Sequence, residues 1–214
     1  MTLFDYEEPI LTTPTLRDWQ AKAIPKMLGF MRNNDKIVLC IPTGCGKTVA
    51  AGVIIADYVK RGKKVLFVVD RLVLIQQTIE SFASLGIRCD ILQGMNSTHT
   101  NAPVIVASQQ TLVRRDLPTE LSAVFADECH VLSGAFKKII NELDIPVVGL
   151  SATPFTKGMS KIFNRLYNPY TTKQATDDGV LVPLKVIECV KMDMSNAKKI
   201  GGEYSDHDVE EKGI

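Results

Sequence analysis

Of 214 residues, 45% are apolar and 23% charged, with a net charge of +1; this is the composition of one folded domain with an appendage, since two domains would each be small. No apolar run approaches the ~18 residues of a membrane span, so the sequence reads as soluble and no membrane partner is expected. Near-neutral charge also excludes a whole-domain pull toward nucleic acid and leaves any such binding to a local surface.

The chain opens on "MTLFDYEEPI", which is acidic and lacks the basic-then-apolar layout of a secretory signal; the expected compartment is the reducing cytoplasm. Six apolar runs follow, "KIVLC" (36–40), "KVLFVV" (64–69), "RCDIL" (88–92), "PVIVAS" (103–108), "SAVFAD" (122–127) and "PVVGLS" (146–151). They are rich in Val, Ile and Phe without polar alternation, as in strands covered on both faces. Between them, "KTVAAGVIIADYVKRG" and "LVLIQQTIESFASLG" are amphipathic and end in a glycine where a helix C-cap would sit. Alternating strand and helix predicts an α/β fold with a parallel sheet, helices on both faces and a ligand site at the carboxyl ends of the strands. After "SATPF" the pattern weakens to one helix and one late strand at 184–190. Residues 200–214 carry five acids (Glu203, Asp206, Asp208, Glu210, Glu211) against one lysine and read as a solvated terminus. The five cysteines, Cys40, Cys45, Cys89, Cys129 and Cys189, are scattered, with no CxxC pair or histidine cluster. They read as free thiols, and no structural metal is expected.

Two stretches carry chemistry. In "IPTGCGKT" (41–48), the turn Thr43-Gly44-Cys45-Gly46 lies between a strand and a helix, where glycines let successive N–H groups face a phosphate and the helix N-terminus adds its dipole. Lys47 would neutralise the β- and γ-phosphates, its charge being solvated when no ligand is bound, and the Thr48 hydroxyl would bind Mg²⁺. Ile41 stands where the strict GxxxxGK pattern has glycine, so the shorter "PTGCGKT" form carries the reading against an ordinary glycine turn. In "VFADECH" an apolar strand ends in two acids: Asp127 can hold Mg²⁺ through water, and Glu128 can polarise a water for in-line attack on the γ-phosphate. His130 reads either as a structural histidine or as a contact to moving parts.

Taken in order, "LRDWQ" (16–20), "PTGCGKT", "DECH" and "SAT" (151–153) resemble the superfamily 2 helicases and translocases of the DEAD/DEAH type over residues 14 to about 190. The resemblance implies a RecA-like P-loop NTPase domain that uses ATP and Mg²⁺ and acts on nucleic acid, with DNA favoured over RNA. It assigns Gln20 to adenine recognition, for which an amide is chemically apt, with Arg17 and Trp19 beside it; a buried tryptophan anchoring a helix is the alternative for Trp19. It marks Arg71 and Gln77 in "VVDRLVLIQQ", and Gln110 and Thr111 in "ASQQTL", as contacts to the nucleic-acid backbone. Val73 departs from the acid common at its position. Ser151 and Thr153, with His130, carry over as coupling residues. "DECH" with "GVLVPLKV" and the tail looks most similar to the RadD and XPB-like repair branch, with phage helicases and type I restriction motors as close relatives.

The family's motors use two RecA-like domains, the second supplying arginines across the cleft. Residues 1–190 read as the first such domain and 191–214 as an acidic connector toward a second one in cis, so weak activity is expected of this chain by itself. Three alternatives remain: an RNA helicase domain, a nucleotide-dependent nucleic-acid binding module without turnover, and a small kinase or GTPase. In the last of these, "DECH" followed by "SAT" has no role.

Overall fold

A computed structural model describes residues 14–71, 73–94, 96–97, 100–185, 199–200 and 203–204. Its first unit, Met1–Leu181, is built on strands β1 (Lys36–Cys40), β2 (Lys64–Val69), β3 (Cys89–Gln93), β4 (Asn96–Ser97), β5 (Val104–Ser108), β6 (Leu121–Ala126), β7 (Val147–Ser151) and β8 (Arg165–Tyr167). They form one sheet in the order β4-β3-β5-β2-β6-β7-β1-β8. Every neighbouring pair is parallel except β3–β4 at the edge. The helices are α1 (Asp18–Met31), α2 (Lys47–Lys60), α3 (Val73–Ala83), α4 (Gln109–Leu112), α5 (Gly134–Glu142) and α6 (Thr172–Asp177), with 3₁₀ turns at Cys129–Val131 and Met159–Lys161.

The apolar runs are strands because both sheet faces are covered, and side chains along a strand alternate between the two. On β2, Val65, Phe67 and Val69 pack with α1, α2 and α3 residues such as Met27, Ile54 and Phe82. Leu66 and Val68 face the opposite layer, with Phe136 and Ile140 of α5. Phe67 sits at the centre of the first layer, edge-on to Phe82 at 5.0 Å and stacked near Phe125 at 6.5 Å. Both anticipated glycine caps form. Gly62 and Gly86 take φ of 68° and 74°, and Lys63 N–H and Ile87 N–H return to Tyr58 C=O and Phe82 C=O at 3.0 Å each, closing the last turns of α2 and α3.

The sequence pattern does not announce β8, whose three residues are half-buried to exposed. It is fixed from outside the strand: Arg165 Nε donates to Asp35 Oδ2 at 3.1 Å and its guanidinium lies 4.3 Å from the Phe30 ring centre. Of the late strand expected at 184–190, residues 184–185 have no regular structure and 186–190 lie outside the described residues, as does Cys189. The second unit, Val182–Ile214, contains a short antiparallel pairing of β9 (Lys199–Ile200) with β10 (Glu203–Tyr204), so part of the tail expected to be a solvated terminus is paired.

Candidate nucleotide and nucleic-acid site

Parallel register places the chemistry at one edge. Cys40 at the end of β1 pairs with Ser151 at the end of β7, Ala126 of β6 with Gly149 of β7 and Val68 of β2, and Val69 with Ser108 of β5. The phosphate-loop candidate, the acid pair, "SAT" and both nucleic-acid segments therefore leave the sheet side by side.

The loop has the backbone that its glycines imply. Gly44 and Gly46 take φ of 79° and 90°, values that side-chain-bearing residues adopt at a cost. Gly46 precedes α2 directly, so the helix's free N–H groups open onto the loop. Thr43 and Gly44 are exposed, Thr48 is half-buried, and Cys45 is fully buried beneath them. Lys47 corrects the expectation of a solvated charge. It is 9% exposed and its Nζ donates to Ile41 C=O at 3.1 Å, because the ammonium, turned in under the loop, finds a carbonyl that satisfies it.

Gln20 is 2% exposed, and both ends of its amide are engaged within the protein. Nε2 donates to Gly46 C=O at 3.0 Å, and Oε1 accepts from Arg17 N–H at 2.8 Å at the start of α1. The residue thus ties α1 to the loop, and a Cβ on Gly46 would lie 2.8 Å from Gln20 Nε2. The Arg17 side chain is exposed, whereas Trp19 is buried and stacked on Tyr170 at 5.8 Å; of the two roles weighed for Trp19, the helix anchor is the one seen.

At the tip of β6, Asp127 N–H donates to Val68 C=O at 2.8 Å, and Glu128 N–H donates to Asp127 Oδ1 at 3.0 Å. Glu128 takes φ 45° and ψ 49°, a left-handed conformation that costs a non-glycine residue about 1–3 kcal/mol and that concentrates at functional sites. Burial, and then the neighbouring Glu128 carboxylate, raise the Asp127 carboxyl above its ordinary range; the Glu128 N–H, Lys47 and His130 partly offset this. A half-buried carboxyl whose charge is disfavoured by burial and by the adjacent Glu128 belongs to a donor set that a divalent cation relieves. The acid pair suits a divalent cation such as Mg²⁺, which Thr48 and Asp127 would hold. His130 Nδ1 lies 2.9 Å from Ser151 Oγ and 3.3 Å from Glu128 Oε2, and Ser151 Oγ accepts from Thr153 N–H at 3.0 Å. The three coupling candidates and Glu128 thus form one network.

On the β2 and β5 side, Arg71 is 82% exposed in its side chain, and Gln77 and Gln110 are exposed. Thr111 is buried, and its hydroxyl bonds Ser108 Oγ at 3.0 Å and accepts from Gly94 N–H at 3.2 Å, so it faces inward. Sequence reasoning passed over Gln109, which is 6% exposed and bonded to Asp70 and to the turn after "DECH". Two adjacent glutamines gave no signal as to which one faces the protein. Among the described residues, no helix is long and apolar enough to cross a membrane.

Known proteins match this chain in sequence and in fold. The chain is 24% identical over 223 residues to the type I restriction enzyme EcoKI endonuclease subunit of Escherichia coli (strain K12), covering 85% of this chain but 19% of that subunit. Its fold matches the UvsW helicase from bacteriophage T4 with a TM-score of 0.58 at 19% identity, covering 72% of this chain and 60% of UvsW. It also matches the type ISP restriction-modification enzyme LlaGI, solved with a DNA substrate mimic, with a TM-score of 0.62 at 17% identity over 78% of this chain and 21% of LlaGI. The fold is thus that of a RecA-like helicase domain, and a phage helicase and a type I restriction subunit, two of the groups that the motifs resemble, are among the matches. With residues 13–156 matched by the family described as "Type III restriction enzyme, res subunit", the chain belongs to that family.

Proposed function

We propose that this chain is the first motor domain of an ATP-driven DNA helicase or translocase. The observation that carries the reading is the meeting, at one sheet edge, of a left-handed glycine loop with Lys47, the acids Asp127 and Glu128, and the His130–Ser151 link toward the "SAT" segment. Lys47, Thr48 and the loop N–H groups would hold the triphosphate, and Mg²⁺ would bind at Thr48 and Asp127 and supply charge neutralisation of the phosphates. Glu128 would orient and deprotonate the attacking water. Arg71 and Gln110 would meet the DNA backbone without reading its sequence. Gln20 would act on nucleotide binding by holding Gly46, with adenine contact secondary to that tether.

A second RecA-like domain in cis is part of the proposal, supported by two type I restriction endonuclease subunits of which the match to this chain spans only 19% and 24%. An arginine delivered from a neighbouring domain is worth roughly 10³–10⁵ in rate in P-loop systems, so residues 1–214 should bind ATP and turn it over slowly. The test measures ATP hydrolysis by this chain, and by a longer protein that joins it to a second RecA-like domain, with no nucleic acid, single- and double-stranded DNA, and RNA. Stimulation by DNA in the longer protein supports the reading. Stimulation by RNA alone transfers it to an RNA motor, and ATP binding without turnover in either protein leaves a nucleotide-gated binding module.

A further inference from the structure

Gln109, the first residue of α4, joins segments distant in the chain. Its Nε2 donates to Asp70 Oδ1 beyond the end of β2 and, at 3.5 Å, to Val131 C=O; its Oε1 accepts from Ser133 N–H at 2.8 Å. A buried amide engaged at both ends holds its partners in a fixed relation, because breaking any one bond strands a desolvated polar group.

The partners are what make this strut informative. Asp70 lies next to the exposed Arg71, whose Nε is 3.8 Å from Asp70 Oδ2. Val131 closes the 3₁₀ turn that begins right after Glu128 and contains His130, and Ser133 caps α5 by accepting from Phe136 N–H at 3.2 Å. One side chain therefore spans from the segment expected to touch DNA to the exit of the turn carrying the water-activating acid. Gln110, its neighbour, points to solvent. The bonds need a donor and an acceptor on one planar group, which glutamine supplies and neither glutamate nor methionine does.

We propose that Gln109 is a positioning residue that transmits DNA contact at Arg71 and α4 to the Glu128–His130 turn. The proposal rests on reading the chain as a DNA-linked ATP motor. A displacement of Asp70 and Arg71 on a phosphate backbone would shift the Gln109 amide, and with it Val131, Ser133 and the turn that Glu128 opens at the nucleotide side. The coupling is reciprocal: if DNA tightens ATP, ATP tightens DNA by the same factor.

The test is calorimetric ATP affinity with and without duplex DNA. It uses the chain itself, Gln109→Glu, and Gln109→Glu combined with Asp70→Asn. Glutamate keeps the acceptor for Ser133 but sets a carboxylate against Asp70; asparagine at 70 then restores a donor. The unaltered chain should show at least about a 5-fold change in ATP affinity with DNA, a typical coupling. Gln109→Glu should lower that ratio to near one with ATP affinity in the absence of DNA unchanged, and the double variant should recover most of it. If Gln109→Glu does not fold, Gln109→Met, which keeps the length and loses every bond, takes its place. A ratio unchanged in the variants, or absent from the unaltered chain while ATP still binds, overturns the proposal. A loss of DNA-free ATP affinity that the double variant does not repair makes Gln109 a structural residue only. Failure of the unaltered chain to bind ATP would instead sink the proposed function.

Discussion

At the β1 side of the sheet edge the candidate side chains are held by the protein itself: Lys47 on Ile41 C=O, Gln20 between Arg17 and Gly46, His130 on Ser151. At the β2 and β5 side the outermost candidates, Arg71 and Gln110, project into solvent, Arg71 holding only a long ion pair to Asp70, while the row beneath them, Asp70, Gln109 and Thr111, is hydrogen-bonded. A nucleotide pocket gains from such preorganisation, because order present before binding is not charged against affinity. A surface that must slide along a uniform phosphate backbone works through exposed, interchangeable contacts instead. If this contrast is right, substitutions on the nucleotide side should have large and specific effects, and those on the outer nucleic-acid side small and graded ones.

The largest expected effect is at Glu128. Glu128→Gln keeps the side chain's shape but cannot accept a proton, so turnover should fall by about 10²–10⁴ while ATP affinity holds, as read by single-turnover hydrolysis beside calorimetry. Unchanged turnover would remove Glu128 from the water-activating role and leave its left-handed backbone without a function. A middle-sized effect is expected at Gln20. Gln20→Ala breaks the tether to Gly46, and one hydrogen bond's net worth corresponds to a loss of about 2- to 12-fold in affinity. Because the tether acts on the phosphate loop, ATP and GTP should weaken alike. A loss confined to ATP would show that Gln20 reads adenine after all, and would blur the contrast by giving a buried strut a direct ligand contact. The smallest effect is at Arg71. Arg71→Ala should leave melting temperature and ATP affinity alone, and reduce the salt dependence of DNA binding by about one phosphate's worth of slope. A drop in melting temperature would mean that Arg71 belongs to the structural row with Asp70.

The same contrast separates what the sequence displays from what it conceals. β1, β2, β6 and β7 are legible because burial on both faces leaves no polar position to confuse the period, as in Val65 to Val69, where every side chain is buried. The loop and the acid pair are legible because few residue types satisfy a phosphate or a cation, and Gly62 and Gly86 because few tolerate their φ. The short β8 is hidden, since it depends on Asp35 and Phe30, more than a hundred positions away. The inward turn of Lys47 is hidden for the same kind of reason: nothing local states that Ile41 C=O will be free to receive it. At "ASQQTL" the chemistry of two glutamines is identical, and only the backbone of a single-turn helix decides that Gln109 enters the protein while Gln110 leaves it. The sequence reading chose Gln110 and Thr111 as the contacts; Gln110 is exposed, whereas the Thr111 hydroxyl is already engaged.

The account stands most directly on whether the loop binds nucleotide through Lys47. Calorimetric titration of Mg·ATP into the chain and into Lys47→Ala, each shown to be folded by its melting transition, measures this. The account predicts saturable one-to-one binding to the unaltered chain and no measurable heat of binding to the variant, with the fold retained because Lys47 contributes a single bond to Ile41 C=O. Equal affinity in the two proteins would contradict it.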